Sequence, residues 1–399
     1  MENNNANKNN SLVPISSHNL VKAEKSISIT NKLLSANYDI TQYHWDWWFK
    51  LSDIWKKIFN AEIGKIENRP KEDSANYINE FGIIETPTLE ELNLVIKLKR
   101  IDYSTELFYN NDTPLKNLLP LKELKNLEYL DCTNNQISDL SPLVDLNNLR
   151  YLYCSKNDIS DLSPLKDLVK LERLGFAFNN IYDLKPLIKL HNITSLAFAY
   201  NKISDLSPLR NMIKIKNLHI KDNHISDLSP ISRMEELEDL CCENNLITDL
   251  SPIKGLKKIH WFFFENNKVN DLSPLVGLTN LKVFNCEKNG ITNLSPLSAL
   301  TQLTSIFCSN NRINNLESLS HLENLENIHC DQNQISKLSV LSKMKNLRDI
   351  SCLENPIEDF SSLINITSLK SLYCSKENIS TLTIDEIKKY IPNINIVTL

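Results

Sequence analysis

A pattern that recurs every 22 residues in twelve copies, without an insertion, constrains the fold of this chain more than any other feature. The copies begin at Leu127, Leu149, Leu171, Ile193, Ile215, Leu237, Ile259, Leu281, Leu303, Leu325, Leu347 and Leu369. Self-similarity at a fixed period of this length is typical of a solenoid, in which each copy packs only on its neighbours. The sequence therefore predicts one elongated body over most of the 399 residues.

The first half of each copy predicts a short β-strand with one buried face. In the first copy, LEYLDCTNNQISDLSPLVDLNN, Leu130 and Cys132 stand at positions 4 and 6 and alternate with exposed positions 3 and 5. Position 9 is asparagine in eleven copies: Asn135, Asn157, Asn179, Asn201, Asn223, Asn245, Asn267, Asn289, Asn311, Asn333 and Asn355. An asparagine there can satisfy backbone groups that the chain leaves unpaired as it turns off the strand, so we expect a column of asparagines.

The second half of each copy, DLSPLxxL, predicts a compact turn that returns the chain along the outside. A serine at a cap position followed by proline as the first helical residue starts such a turn, as in Ser141-Pro142. Too few residues remain for a long α-helix, so one or two 3₁₀ turns are expected. Strands on the shorter inner side and turns on the longer outer side predict a curved stack.

These residues resemble a known family. The unit LxxLxxLxLxxNxIxDLSPLxxL is similar to the bacterial internalin-like class of leucine-rich repeats, and the resemblance covers residues 127–382. It implies an α/β solenoid, a leucine-rich-repeat arc with a parallel concave sheet, short 3₁₀ turns on the convex side and a helical N-terminal cap. The family would also carry a secretion signal and a wall anchor, and neither pattern is present here, so the expectation is a cytoplasmic protein. Secretion without a cleavable signal is the alternative.

The net charge and the positions of the cysteines limit which functions and which compartment the sequence supports. The net charge of −5 and the lack of a long basic run argue against a nucleic-acid binder, and a membrane-surface role has as little support. Eight of the nine cysteines occupy position 6, which other copies fill with phenylalanine or isoleucine, so we expect buried thiols in a reducing compartment. These eight are Cys132, Cys154, Cys242, Cys286, Cys308, Cys330, Cys352 and Cys374.

The segments outside the regular copies are expected to be a tail and two caps. Residues 1–37 are polar and predict a disordered tail, and residues 38–100 predict a tryptophan-rich helical cap. An amphipathic helix that covers the first repeat or, alternatively, binds a partner is predicted by the helical spacing of Trp48, Leu51, Trp55, Ile58 and Phe59. A second helix should start at Thr88 and run to about residue 98. Residues 101–126 predict a degenerate first repeat and residues 383–399 a C-terminal cap.

The outward positions 3, 5, 7 and 8 of the predicted concave face carry the candidate partner-binding residues. Large aromatic side chains on a rigid concave sheet are typical of a binding surface, although strand propensity also favours them. Carboxylates side by side on neighbouring strands either gain relief from Lys268 and Lys288 or receive a basic side chain of a partner. The candidates are Tyr129, Tyr151, Tyr153, Phe178, Tyr200, Trp261, Phe263, Phe307, Tyr373, Glu243, Glu265 and Glu287.

One other group could carry chemistry. His219 and Cys241 should lie on adjacent strands about 4.8 Å apart, with Asp239 and Glu243 flanking the thiol. An open sheet offers neither an oxyanion site nor a water-excluding pocket, and Asp239 is expected to point away from His219. An ordinary surface is therefore preferred to an enzyme or a metal site there.

The sequence as a whole predicts a non-enzymatic protein-protein interaction scaffold that binds its partner on the concave face of the repeats. The partner is expected to be a protein or peptide, with no nucleic acid, no membrane, no cofactor and no metal, and the chain is expected to be a monomer. An exported effector that binds a host protein is the alternative.

Overall fold

The computed structural model describes residues 39–66, 86–103 and 114–399. Fourteen strands within these ranges form one parallel sheet in which every strand lies beside its neighbours in sequence. The strands β1 to β14 are Arg100–Asp102, Tyr129–Asp131, Tyr151–Tyr153, Arg173–Gly175, Ser195–Ala197, Asn217–His219, Asp239–Cys241, Trp261–Phe263, Val283–Asn285, Ser305–Phe307, Asn327–His329, Asp349–Ser351, Ser371–Cys374 and Asn395–Thr398. Short 3₁₀ turns follow β2 to β12 on the other side, so the predicted arc-shaped solenoid is confirmed.

The register of the sheet brings equivalent repeat positions side by side. Tyr129 pairs with Tyr151 and Trp261 pairs with Val283, 22 residues apart in each case. The first pairing, Arg100 with Tyr129, spans 29 residues, which agrees with a longer first turn. Residues 104–113 of the predicted degenerate first repeat lie outside the described residues. Because the register never slips along the regular copies, each repeat position forms a straight column across the sheet.

Apolar columns form one continuous core behind the sheet, and the eight position-6 thiols belong to it, as predicted. All eight are at most 2% exposed. Sγ of Cys132 lies 3.2 Å from Sγ of Cys154, and both are free thiols. The ninth cysteine, Cys241, is half-buried on the opposite face.

The asparagine column connects successive copies. In the second copy, Oδ1 of Asn157 accepts a hydrogen bond from the Ile137 amide at 2.8 Å, while its Nδ2 donates to the carbonyls of Cys132 and Cys154 at 3.0 and 3.1 Å. The same Oδ1 contact, to the amide 20 residues earlier, recurs in all eleven copies that carry the asparagine. The predicted column is therefore confirmed.

The outer turns begin differently from the prediction. Ser141 is the first residue of its 3₁₀ turn and caps nothing. Oδ1 of Asp139 instead accepts from the Ser141 amide at 2.7 Å, and Oδ2 accepts from the Ser141 hydroxyl at 2.8 Å. Aspartate performs this role because its carboxylate reaches the backbone two residues ahead. The capping prediction assigned to serine was therefore wrong, and the aspartate of DLSPL is the turn-forming residue.

Three helices within residues 39–66 and 86–103 lie at the N-terminal end of the sheet. The helix predicted around Trp48 and Trp55 is divided in two: residues 39–49 are α1 and Asp53–Ile66 is α2. Trp48 and Trp55 are nevertheless buried, and α2 packs against β1. Leu89–Ile96 is α3, and Thr88 with Glu91 forms the predicted capping box. That these helices cover the first repeat as a cap stays a prediction. The predicted disordered tail, residues 1–37, lies outside the described residues.

The C-terminal end is covered by the helix Thr381–Tyr390, α4, and by β14, which pairs with β13. The side chain of Asn378 donates to the carbonyl of Asn355, so it continues the asparagine contacts where the repeat pattern ends. Within residues 39–66, 86–103 and 114–399, no helix combines the length and the apolar character that a membrane span requires.

Candidate functional site: the concave face

The predicted binding residues occupy four columns on the exposed side of the sheet. Positions 3 and 5 lie on the strands, position 7 follows each strand, and position 8 lies in the turn beyond it. Three candidates are clearly exposed, namely Trp261 at 43%, Phe178 at 46% and Tyr200 at 40%. The other six aromatics are half-buried against their neighbours on the same face. The candidates therefore form several groups along the arc rather than one patch.

A tyrosine group covers the N-terminal strands. The Tyr129 ring lies 6.3 Å from the Tyr151 ring and 5.6 Å from the Tyr153 ring, and the Arg100 guanidinium lies 3.5 Å above Tyr129. Gly175, opposite Tyr153 in the sheet, makes room for this packing: a Cβ there would come within 2.7 Å of Cδ1 of Tyr153. Mutual contacts therefore hold these rings and leave them only partly available to a partner.

Phe178 and Tyr200 form a stacked pair at the rim of the face, with ring centroids 4.0 Å apart and planes 10° apart. Both have φ near 56°, as position 8 does in every copy that carries the asparagine. Bulky residues rarely adopt this left-handed conformation, which asparagine tolerates better. An exposed aromatic pair that keeps this unfavourable backbone conformation is a candidate for partner binding.

Trp261 and Phe263 stand at positions 3 and 5 of β8, beside the acidic column of Glu243, Glu265 and Glu287. Lys288 pairs with Glu265 at 2.8 Å, whereas Lys268 makes no ion pair within the described residues. Burial raises the pKa of Glu243 and of Glu287, and the charge of Glu265 adds to both shifts. Oε2 of Glu243 is buried and has no hydrogen-bond partner in the described part of the chain. Lys288 therefore forms its ion pair with Glu265, while the charge of Lys221 near Glu243 and that of Lys288 near Glu287 do not outweigh burial.

A cavity of about 440 Å³ opens on the same face near the C-terminal strands. Phe307 and Tyr373 form its walls with His329, whose ring meets Phe307 edge-on at 4.9 Å. Ser351 lies between them, and its small side chain leaves the space open. His329 and Ser351 were not among the predicted binding residues, although the series Phe307, His329, Ser351, Tyr373 along position 5 contains the signal. The other lining residues are Asn327 and Asp349.

The group around Cys241 differs from the expectation at one residue. Nε2 of His219 lies 2.8 Å from Oδ2 of Asp239, so the prediction that Asp239 points away from His219 was wrong. Asp239 and His219 stand at positions 3 and 5 of adjacent strands, which a side chain can span diagonally. The hydrogen bond to Asp239 raises the pKa of His219. Burial, with the charges of Asp239 and Glu243, raises the pKa of the Cys241 thiol far above its usual range, which disfavours a nucleophilic thiolate.

The structure is similar to solved leucine-rich-repeat proteins. An internalin, inlF, of Listeria monocytogenes is 30% identical, with a TM-score of 0.73 over 82% of this chain and 93% of that chain. The sequence profile for leucine-rich repeats in two copies matches residues 125–167, 213–255 and 279–324. The chain belongs to the internalin-like leucine-rich-repeat proteins. Among curated proteins, none matches this sequence.

Two more distant structures share the fold of this internalin-like chain. A leucine-rich-repeat protein of Leptospira interrogans is 19% identical, with a TM-score of 0.65 over 78% of this chain and 92% of that chain. The plant peptide hormone receptor RGFR1, solved in complex with RGF2, is 19% identical, with a TM-score of 0.52 over 71% of this chain and 56% of that chain. Leucine-rich-repeat proteins of this type generally serve as protein-interaction scaffolds, and the family is typically non-enzymatic.

Proposed function

We propose that this protein holds a protein or peptide partner on its concave face, with Trp261 and Phe263 as the central anchors. The observation that carries the proposal is the exposure of a tryptophan in the middle of a rigid sheet, beside a partly desolvated acidic column. Exposed tryptophan on a preorganised surface is enriched among residues that dominate binding energy. The plant receptor of the same fold was solved with its peptide hormone, which supports a peptide-sized occupant.

The acidic column gives the proposed partner a charge. Burial and the charge of Glu265 raise the pKa of both Glu243 and Glu287, so the favourable contacts of their charged forms do not fully offset the loss of water. A lysine or arginine side chain placed beside them supplies it and strengthens the contact as water is excluded. The proposed partner therefore presents an apolar side chain to Trp261 and a basic one to the acidic column.

Truncating both anchors, Trp261→Ala with Phe263→Ala, should weaken partner binding by at least about 2 kcal/mol, or roughly 30-fold. The partner is captured on immobilised wild-type protein, and its affinity for each variant is measured by surface plasmon resonance. The control, Tyr182→Ala with Ile188→Ala, removes apolar side chains that are 64% and 53% exposed and lie outside the concave face. Equal affinity of wild type and anchor variant would place the binding surface elsewhere.

Charge reversal at the acidic column adds a kinetic test of the same proposal. Glu265→Lys should mainly slow association and reduce its dependence on salt concentration, because surface charges act on the encounter more than on the final contact. The same surface plasmon resonance experiment, repeated at two salt concentrations, measures both effects. A change confined to the dissociation rate contradicts an electrostatic role for this column.

We also propose that the protein works in the cytoplasm, with an exported effector that binds a host protein as the second candidate. The support is the packing of its thiols: nine free cysteines include Cys132 and Cys154 in sulfur contact, which is typical of a reducing compartment. Fractionation of the cells that express the protein should recover it with cytoplasmic markers. Recovery from the culture medium would favour the effector.

A further inference from the structure

His219, Asp239 and Cys241 bring a nitrogen, a carboxylate and a sulfur donor together on the concave face. Nε2 of His219 lies 2.8 Å from Oδ2 of Asp239, and Sγ of Cys241 lies 3.5 Å from Oδ1 of Asp239. One ligand atom from each residue lies within 4.8 Å of the other two. We propose that these three side chains form a binding site for one zinc ion, an inference that does not rest on the proposed partner binding.

The distances suit a tetrahedral ion after a small adjustment. Zinc binds nitrogen and oxygen at about 2.0–2.2 Å and sulfur at about 2.3 Å, which places neighbouring ligand atoms roughly 3.4 Å apart. Cys241 and Asp239 already meet this separation. Nε2 of His219 contacts the other carboxylate oxygen, Oδ2, at 2.8 Å, so the ion replaces this hydrogen bond and the Asp239 carboxylate turns to present one oxygen as the ligand.

The backbone holds the ligands in place. His219 and Cys241 are directly paired in β6 and β7, and Asp239 stands two residues before Cys241 on the same face of β7. The amide of Ile220 donates to the carbonyl of Cys241 at 2.7 Å, so the sheet fixes the strands on which the ligands stand. Only side-chain rotations are needed to form the site, and sites on rigid strands are held more accurately than sites on loops.

The chemistry of the group favours zinc over the alkaline-earth ions. Thiolate and imidazole are ligands of zinc, whereas calcium and magnesium prefer oxygen throughout. Negative groups also surround the thiol, since Asp239 and Glu243 both act on Cys241 and Oε2 of Glu243 is buried without a partner in the described residues. A divalent cation offsets this charge and stabilises the thiolate. Three protein ligands leave a fourth position for water.

Cobalt titration of the untagged, fully reduced protein tests the site. Co²⁺ should produce a thiolate-to-cobalt charge-transfer band that saturates at one equivalent and disappears when Zn²⁺ is added. Cys241→Ser should abolish the band, and His219→Ala should weaken binding at least about tenfold. His329→Ala is the matched control, because His329 stands in the same column outside the group and should leave the titration unchanged.

Alkylation gives a second readout that does not depend on cobalt spectra. Cys241 is the one half-buried cysteine among eight buried ones, so iodoacetamide should modify it first in the native protein. Zn²⁺ at one equivalent should slow this modification by at least tenfold, because coordination occupies the sulfur. The proposal is overturned if no thiolate band forms, if the band survives Cys241→Ser, or if the affinity for Co²⁺ is the same in the His219→Ala variant.

Discussion

Replacing the Cys308 thiol with a carboxylate should lower the free energy of unfolding by about 3 kcal/mol or more, because it buries an unpaired charge. Cys308 is fully buried in the position-6 column. Its surroundings already oppose negative charge: burial, with contributions from Cys286, Glu287 and Asp331, raises the pKa of this thiol well above its usual range. An aspartate carboxylate at position 308 would be opposed by the same burial and the same negative neighbours.

The destabilisation by Cys308→Asp should also depend on pH. Burial raises the pKa of the introduced carboxyl in the folded state, so the folded chain keeps a proton that the unfolded chain releases. The variant should therefore lose stability as the pH rises above the ordinary aspartate pKa, until it passes the raised one. Urea unfolding followed by circular dichroism between pH 4 and pH 8 measures the effect.

Cys308→Val is the matched control for this prediction, since it keeps an apolar side chain of similar volume and should cost less than about 1.5 kcal/mol. A carboxylate variant as stable as the valine variant, with no pH dependence, contradicts a buried thiol column. The stability loss is measured on the whole chain, because neighbouring copies unfold together in a solenoid.

Replacing Asn201 with aspartate should cost about 3 kcal/mol or more, although the two side chains have nearly the same shape. Nδ2 of Asn201 donates to the carbonyls of Phe176 and Phe198 at 2.9 and 3.1 Å, and Oδ1 accepts from the Ile181 amide at 2.9 Å. Aspartate keeps the acceptor but places a buried negative charge against carbonyl oxygens that have lost their donor. The hydrogen bond that Nδ2 makes to the Phe176 carbonyl in the preceding copy is lost at the same time.

Asn310→Asp makes the same chemical change at an exposed site. Asn310 precedes a column asparagine and has φ of 58°, a conformation that aspartate tolerates, so its replacement should change stability by less than about 0.5 kcal/mol. Thermal unfolding of both variants beside wild type provides the measurement. Similar losses at the two positions would show that the effect comes from surface charge rather than from the asparagine column.

The structure of the repeat unit could be predicted almost completely because the same residue types recur at the same positions every 22 residues. A column such as position 6 or position 9 repeats its environment in copy after copy, so shared residue types at one position reveal burial and hydrogen bonding. The outer turn was predicted in its place and type but not in its chemistry. Asp139 and Ser141 both belong to DLSPL, and only the hydrogen-bond directions show that the aspartate accepts while the serine donates.

The sequence did not predict which neighbour a side chain on the sheet turns toward. The columns placed His219 and Cys241 on adjacent strands, as the register confirms. They could not show that Asp239 turns diagonally toward His219, because a rotamer depends on the neighbours that a side chain meets. The cavity lined by Phe307 and Tyr373 depends in the same way on the small Ser351 between larger neighbours.

The sequence by itself determined the solenoid, its strand positions, the buried thiols and the asparagine column, because each depends on a local pattern repeated every 22 residues. Only the tertiary structure decided the division of the first helix at residues 50–52, the pairing of His219 with Asp239, and which concave-face aromatics stay exposed. These features occur once in the chain and depend on contacts between particular side chains. No period in the sequence encodes such contacts.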